Sequence, residues 1–167
     1  MKILVGYASK YGATDGIAEQ IACVLNGAGL DATLSSLDGA KAEGYDAFVI
    51  GSGVYAGSWL KSARQFVETN RETLASRPVW LFSSGPVGDP PKPEGEPQGV
   101  LAIHQAVKAR EHRVFAGKLE KRRLNLVEKA LTSALKAPDG DFRDWDSIRA
   151  WADEIVAALP ATIEARR

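Results

Sequence analysis

Apolar residues along the chain are grouped in two ways, and the grouping predicts strands and helices that alternate. Continuous apolar runs fill Lys2–Tyr7, "YDAFVIGSG" (45–53) and "RPVWLFSSG" (77–85), and such runs are typical of strands buried on both faces. A weaker alternating run over 31–37 and the short run "RVFAGKL" (113–119) predict two more strands. Apolar residues at helical spacing predict five helices, over 14–26, 58–70, 99–109, 124–136 and 144–159.

This alternation predicts an α/β fold, an open twisted sheet of five parallel strands with helices on both faces. In such sheets ligands bind beyond the C-terminal ends of the strands. The chain of 167 residues is long enough for a substantial core, and we predict a single domain over 1–167. The proline-rich segment 86–99 is predicted to be a surface loop and not a domain boundary, because the residues after it would make a poor separate domain.

Composition and charge narrow the class of protein. The hydrophobic and charged fractions, 45% and 25%, are ordinary for a soluble globular protein, and no signal peptide or membrane span is visible. The single cysteine excludes an internal disulfide, so we predict a cytoplasmic location. The net charge is zero, but residues 104–136 hold nine basic and three acidic residues. This segment predicts an anionic partner or surface, and we expect no nucleic-acid partner.

The loop between the first strand and the first helix has the features of an anion site. The dipole and the unpaired N–H groups of a helix N-terminus favour an anion, and glycine lets the backbone approach a phosphate. The loop matches neither G-x-x-x-x-G-K-[ST] nor G-x-G-x-x-G, so it suits one terminal phosphate. A serine-rich helix cap is the alternative interpretation, and the lysine of the loop points either to the phosphate or to solvent. The predicted residues are Ser9, Lys10, Tyr11, Gly12, Ala13 and Thr14.

Two further loops rich in small residues follow the third and fourth strands at the same edge. Each can bring backbone N–H and C=O groups against a flat polar ring, and an aromatic side chain can stack on that ring. Tyr55 is the candidate for stacking, whereas Trp59 is equally a core anchor. The predicted residues are Ser52, Gly53, Val54, Tyr55, Ala56 and Gly57 in one loop, and Ser84, Gly85, Pro86, Val87, Gly88 and Asp89 in the other.

Residues 9–14 resemble the phosphate loop of the flavodoxin family, in which a hydroxyl residue leads to Gly-x-Thr. The resemblance covers nearly the whole chain. It implies a flavodoxin-like sheet with strand order 2-1-3-4-5 and FMN as the cofactor. It also implies that the FMN phosphate lies on 9–14 and the flavin ring between loops 52–57 and 84–89. Asp89 then becomes a candidate for lowering the flavin potential, with a turn-forming role as the alternative.

Within the superfamily, three stretches resemble the branch that includes menaquinone-dependent protoporphyrinogen oxidase. They are "YDAFVIGSGVYAGSWLKSARQFV", "FAGKLEKRRLNLVEKAL" and "DFRDWDSIRAWADEIVAAL". This likeness implies an oxidoreductase of heme biosynthesis that passes electrons from a porphyrinogen through FMN to a quinone. It also implies contact with an anionic membrane surface through Lys118, Lys121, Arg122 and Arg123. The alternative is a flavodoxin-type electron carrier that serves a redox partner protein and has no substrate of its own.

The remaining polar residues predict no other chemistry. No catalytic triad, carboxylate pair or metal cluster is visible, so we predict no catalytic residue and no metal. His104 and His112 are expected to be solvated, and Cys23 to be inert packing on the first helix. A non-redox receiver-like module would need acidic residues after the first and third strands, where 6–7 and 51–52 have none.

The helix predicted over 124–136 carries an apolar stripe that has two interpretations. We prefer a helix whose Leu and Val side chains face the core. In the alternative the stripe lies on a membrane, with Lys129 and Lys136 at the lipid headgroups.

Overall fold

The computed structural model describes residues 1–87 and 95–164, and side chains as far as residue 159. The elements in chain order are β1 (Lys2–Ala8), α1 (Ala13–Gly27), β2 (Asp31–Ser36), β3 (Ala47–Tyr55), β4 (Ser58–Trp59), α2 (Lys61–Thr69), α3 (Arg71–Ala75), β5 (Val79–Ser84), α4 (Val100–Val107), β6 (Glu111–Phe115), β7 (Lys118–Leu119), a 3₁₀ turn (Lys121–Arg123), α5 (Leu126–Ala134), β8 (Gly140–Asp141) and α6 (Trp145–Glu164).

Five parallel strands form the sheet in the order β2-β1-β3-β5-β6. Counted among themselves, these strands have the order 2-1-3-4-5, so the prediction is confirmed. In the register, Val5 of β1 lies between Leu34 of β2 and Val49 of β3. β1, β3 and β5 are therefore interior strands, and their apolar runs are continuous because both faces are covered.

Two local differences from the prediction occur near the C-terminal edge of the sheet. Ala56 and Gly57 adopt positive φ values of 49° and 80°, so the chain turns back and β4 pairs antiparallel with β3. The helix predicted from 58 consequently begins at Lys61. The last parallel strand ends at Phe115, because Lys118–Leu119 pairs instead with β8 in a separate two-stranded sheet.

One hydrophobic cluster lies on each face of the sheet. On the first face, α1 and α6 cover Ile3, Val5, Val49 and Phe82. On the second face, the helices α2, α3 and α4 cover Leu4, Ile50, Leu81 and their neighbours. The seven side chains named here are each at most 1% exposed, and full burial of one such side chain contributes about 1.5–3 kcal/mol.

Gly51 allows an especially close contact beneath the site edge. A Cβ built at Gly51 would lie only 2.0 Å from Cζ of Phe82, so the phenyl ring packs directly on the backbone of β3. The same ring contacts Trp151 and Phe115, with centroid separations of 6.1 Å and 6.3 Å. This packing holds the ends of β3 and β5 together.

Helix α5 differs from the preferred prediction, because none of its residues is buried. The exposed fractions are 85% for Leu126, 79% for Val127 and 47% for Leu131, and Leu135 at the C-cap is 71% exposed. The prediction that Val127, Leu131 and Leu135 face the core is wrong, whereas Leu124, the first residue of the predicted stripe, precedes the helix and is buried, with 8% exposed. The physical reason is that Glu128 forms hydrogen bonds to another loop, so the polar side of the helix faces the protein.

Two smaller expectations also concern exposure. Cys23 is exposed on α1, so the prediction that it packs against other residues is wrong. Among the residues that the structure describes, no helix combines the length and the hydropathy needed to cross a bilayer.

Candidate functional site

Three loops meet at the C-terminal edge of the sheet because their strands are neighbours in register. Ala8, at the end of β1, pairs with Ser52 of β3, and Gly53 pairs with Ser84 of β5. The loops that follow β1, β3 and β5 therefore start side by side. This is the position at which open α/β sheets bind ligands.

In the first loop, Gly12 is the N-cap residue of α1 and adopts φ 86°. Its N–H donates to Oγ of Ser9 over 3.0 Å, and no side chain caps the helix. The alternative of a serine-rich helix cap therefore does not match the structure. The first turn of α1 presents backbone N–H groups that no capping side chain occupies, as an anion site requires.

Thr14 connects the first loop to the third. It is 2% exposed, and its hydroxyl donates to Oγ of Ser84 over 3.4 Å. A Cβ at Gly53 would lie 3.1 Å from the same hydroxyl oxygen. Because a bond of 3.4 Å is long and weak, the Thr14 hydroxyl can exchange Ser84 for a better acceptor.

Lys10 and Tyr11 share a hydrogen-bond partner in α5. Both side chains donate hydrogen bonds to the carboxylate of Glu128 in α5. These bonds, first from Lys10 and then from Tyr11, lower the pKa of Glu128 from 4.5 to about 2. The bond to Glu128 also raises the pKa of Lys10 and that of Tyr11. Sequence reasoning missed Glu128, although the spacing from Asn125 to Glu128 is that of a capping box.

Two arginines hold the backbone of the first loop from outside. Nη1 of Arg123 donates to the carbonyl of Tyr11 over 2.8 Å, and Nη1 of Arg143 donates to that of Ala13 over 3.3 Å. In a trans peptide the N–H points away from the C=O. Arg143 thus fixes a peptide plane whose other end carries the N–H of Thr14. Nothing in the sequence pattern pairs Arg143 with this loop, so it was not predicted.

Arg143 is itself firmly positioned. Its side chain is 12% exposed, donates to Asp141 over 2.7 Å and lies 4.6 Å from the ring centre of Trp145. The bond from Arg143 lowers the pKa of Asp141. The guanidinium is therefore a fixed positive charge beside the first turn of α1.

The middle loop presents one aromatic ring beside a buried glycine. Tyr55 is half-buried, and desolvation raises the pKa of its hydroxyl. Its ring lies edge-on to that of Tyr11, with centroids 6.3 Å apart. Ser52 is fully buried, where its hydroxyl donates to the carbonyl of Gly53 over 2.8 Å. Ala56, Gly57 and Val54 form the rest of the turn.

Two residues of the predicted third loop, Gly88 and Asp89, lie outside the described residues, so only its first part is visible. Ser84 is buried, and Gly85, Pro86 and Val87 are half-buried. Gly117 packs against this loop and was not predicted: its N–H donates to the carbonyl of Pro86 over 2.7 Å. A Cβ at Gly117 would lie 3.1 Å from Cα of Gly85, so a side chain there would displace the loop.

Beneath the loops lies a buried polar network centred on Ser83. Nε1 of Trp59 donates to Ser83 Oγ over 2.7 Å, and Trp59 is only 2% exposed, so it is a core anchor and not a stacking residue. Ser83 Oγ also shares a hydrogen bond of 2.8 Å with His112 Nε2. His112 Nδ1 lies 3.1 Å from the carboxylate of Glu96.

The expectation that both histidines are solvated is corrected for His112, whose side chain is 2% exposed. β6 begins at Glu111, two residues before the predicted strand, and therefore carries His112 into the protein. Desolvation lowers the pKa of His112, and the Glu96 carboxylate partly opposes this effect. His104 is half-buried on α4. Across residues 1–87 and 95–164, no three His, Cys, Asp or Glu side chains gather as metal ligands would.

The chain belongs to the flavodoxin family. The sequence model of that family, described as a flavodoxin domain, matches residues 4–146. FMN is the cofactor that flavodoxins bind. The fold and the three adjoining loops described above agree with this membership.

Solved flavodoxins share the fold. A cysteine-to-serine variant of flavodoxin from Pseudomonas aeruginosa is 20% identical, with a TM-score of 0.59, over 96% of this chain and 99% of that chain. Oxidised flavodoxin 1 from Bacillus cereus is 15% identical, with a TM-score of 0.61, over 95% and 99%. The rubredoxin oxygen:oxidoreductase from Desulfovibrio gigas is 12% identical, with a TM-score of 0.68, over 97% of this chain and 37% of that chain. At these identities the similarity is one of fold.

Proposed function

We propose that this chain is an FMN-binding electron-transfer protein, folded as one FMN-binding domain over 1–167. The observation that carries the proposal is the N-terminus of α1, which no side chain caps and which lies where three loops of small residues meet. A phosphate monoester fits this N-terminus because backbone N–H groups and the helix dipole favour an anion there. The two core clusters lie on opposite faces of one sheet, which supports a single domain.

The residues around the edge also fit a flat ring. A Cβ at Gly53 would lie 2.9 Å from the ring of Tyr55, and a Cβ at Gly85 would lie 3.2 Å from Val54. Glycine at 85 therefore lets the loop after β5 lie close to the loop after β3, and glycine at 53 leaves room for the Tyr55 ring within its own loop. Tyr55 offers a half-buried aromatic face for the ring.

Roles follow for the residues of this chain. Backbone N–H groups of Ala13 and Thr14 bind the phosphate, while Arg123 and Arg143 hold the peptide planes of the loop. Tyr55 and the loop after β5 bind the ring and exclude water from it. When bound, FMN supplies the redox chemistry, and these residues supply its binding and orientation. The proposed cofactor residues are those predicted from the sequence, 9–14, 52–57 and 84–89.

The test is a titration of purified protein with FMN, followed by visible absorption and flavin fluorescence. We expect a yellow complex with quenched fluorescence. Gly12→Ala forces a side chain into the left-handed region in the loop and weakens FMN binding. Gly29→Ala is the matched control, because Gly29 has φ 84° against 86° for Gly12 but follows the other end of α1. Unquenched FMN at micromolar protein, or equal effects of the two variants, contradicts the proposal.

A narrower hypothesis makes the chain an oxidase that transfers electrons from a porphyrinogen to a quinone, and it rests on the sequence resemblance. FMN-loaded protein then oxidises protoporphyrinogen with menadione as acceptor, whereas an electron carrier for a redox partner protein does not. The membrane contact predicted through Lys118, Lys121, Arg122 and Arg123 stays a prediction. Lys118 and Arg122 pair with Glu120, and Arg123 donates to the first loop, although the Arg122 side chain is 85% exposed.

A further inference from the structure

Helix α5 is amphipathic, but its apolar side faces away from the protein. Glu128 and Thr132, one turn apart, are the half-buried residues of the helix. At about 100° per residue, the apolar residues fill one half of the helix circumference, and Glu128 and Thr132 lie on the polar half. Their exposed fractions range from 47% to 85%, and they are Leu126, Val127, Leu131 and, at the C-cap, Leu135. We call these four residues the apolar face of α5.

This orientation is fixed by bonds and is not that of a loosely attached helix. The Asn125 side chain accepts from the N–H of Glu128 over 2.9 Å, and the Glu128 carboxylate accepts from the N–H of Asn125 over 3.0 Å. The same carboxylate accepts from Lys10 and Tyr11 of the first loop. A contiguous patch of large apolar side chains that is held outward marks an interaction surface.

The charges around the apolar face identify the kind of partner. Residues 118–136 contain six basic and two acidic residues, a net charge of +4. Both acids are paired, Glu120 with Lys118 and Arg122, and Glu128 with Lys10. A second copy of the chain would bring two such cationic segments together, which like-charge repulsion opposes. An anionic surface complements the segment instead.

We propose that α5 docks on an anionic lipid surface. The apolar face enters the boundary between headgroups and acyl chains, and exposed cations near the ends of the helix meet anionic headgroups. Arg122 and Arg123 precede the helix, and Lys129 and Lys136 lie on it and just after it. A single exposed helix with leucines outward and cations at its flanks suits a lipid surface, into which all four apolar side chains can insert together.

The docked orientation has a consequence for the proposed cofactor edge. Glu128 joins α5 to Lys10 and Tyr11, and the Tyr11 ring lies 6.3 Å from that of Tyr55. α5 therefore lies between the lipid surface and the first loop, and the helix diameter of about 10–12 Å sets their separation. Docking does not require FMN, so it goes beyond the proposed function and can be tested separately.

The test is sedimentation of the full chain with vesicles of phosphatidylcholine alone, or of equal parts phosphatidylcholine and phosphatidylglycerol. We expect binding to the anionic vesicles and not to the neutral ones. The double variant Leu126→Gln, Val127→Gln lowers vesicle binding at least about tenfold, because burial of one leucine already exceeds a tenfold change. Leu101→Gln is the matched control, since Leu101 on α4 is 61% exposed, and it leaves binding unchanged.

Several results would overturn the inference. If the chain remained in the supernatant with both kinds of vesicle, an acidic protein would be the better partner. If the double variant bound the anionic vesicles as tightly as the wild type, charge alone would account for the binding. If sedimentation velocity showed a dimeric wild type and a monomeric double variant, the apolar face of α5 would be the contact with a second copy. Tryptophan fluorescence of the same samples shows whether the variants fold, and FMN titration separates a failure of docking from a failure of the cofactor proposal.

Discussion

Glu128 is the residue whose removal most directly tests how the site is held together. Its carboxylate joins the first loop, through Lys10 and Tyr11, to the start of α5. Glu128→Gln keeps the size of the side chain and an oxygen that can accept hydrogen bonds, but it removes the charge. We expect the variant to fold with a lower free energy of unfolding at pH 7.

The size of the loss follows from the pKa of Glu128, which falls from 4.5 to about 2 in the folded protein. This pKa shift corresponds to about 3 kcal/mol of folding free energy. Solvent reduces this figure, since Lys10 is 42% exposed and exposed ion pairs contribute about 1 kcal/mol or less. Glutamine also retains part of the bonding to Tyr11 and Asn125. We therefore expect a loss of about 1 kcal/mol.

The loss has a defined dependence on pH. The folded pKa of Glu128 lies below its unfolded value, so its stabilisation is complete above pH 4.5 and disappears as the pH falls towards 2. The difference between wild type and Glu128→Gln should therefore shrink as the pH falls below 4.5. The assay is urea denaturation followed by tryptophan fluorescence from neutral to acid pH. Glu68→Gln, on the exposed side of α2, is the control. Equal unfolding midpoints of wild type and Glu128→Gln at pH 7 would refute the reasoning.

Three further changes test the site and the network beneath it. Thr14→Val should weaken FMN binding about ten- to a hundredfold and riboflavin binding less, since a bond to a charged phosphate is lost. Gly117→Ala should weaken FMN binding about tenfold, because its Cβ meets the backbone of Gly85. In urea denaturation, the free energy of unfolding of the wild type should decrease as the pH falls below 6.5, and in His112→Gln this decrease should be absent. Burial lowers the folded pKa of His112, so the unfolded chain takes up the proton first.

Controls for these variants come from the same chain. Thr33→Val lies on the exposed edge strand β2, and a Cβ at Gly27 in α1 meets nothing within 4 Å. Equal losses for FMN and riboflavin in Thr14→Val would count against phosphate binding by the first loop. If Gly117→Ala matched Gly27→Ala in FMN titration, the contact with Gly85 would have no role in the site. An unchanged pH profile in His112→Gln would assign the acid sensitivity to other groups.

The sheet could be predicted because its interior strands leave a direct signature. Runs such as Ile3 to Val5 and Phe48 to Ile50 are apolar on both faces, and parallel topology then places the following loops at one edge. The outward face of α5 could not be predicted in this way. Periodicity reveals an apolar stripe but not which side the protein covers, and here Glu128 decides this through partners 117 and 118 residues away.

The candidate site was predictable in its loops but not in its supports. Small residues after each strand indicated the edge, and Gly12 with its φ of 86° lies at the expected start of α1. Arg143 and Gly117 contact the site through long-range packing that no local pattern records. His112 was misjudged because β6 starts two residues earlier than its apolar run suggests.

The packing of α6 on α1 bears on the order in which the chain is completed during synthesis. The first loop is synthesised well before α6, yet Ile17 and Ile21 of α1 are covered by Ile148, Trp151 and Ile155 of α6. The helix behind the proposed phosphate site therefore stays partly uncovered until the last described element has emerged. Domains generally fold as units during translation, so we expect the nascent chain to acquire its cofactor only after α6 has emerged from the ribosome.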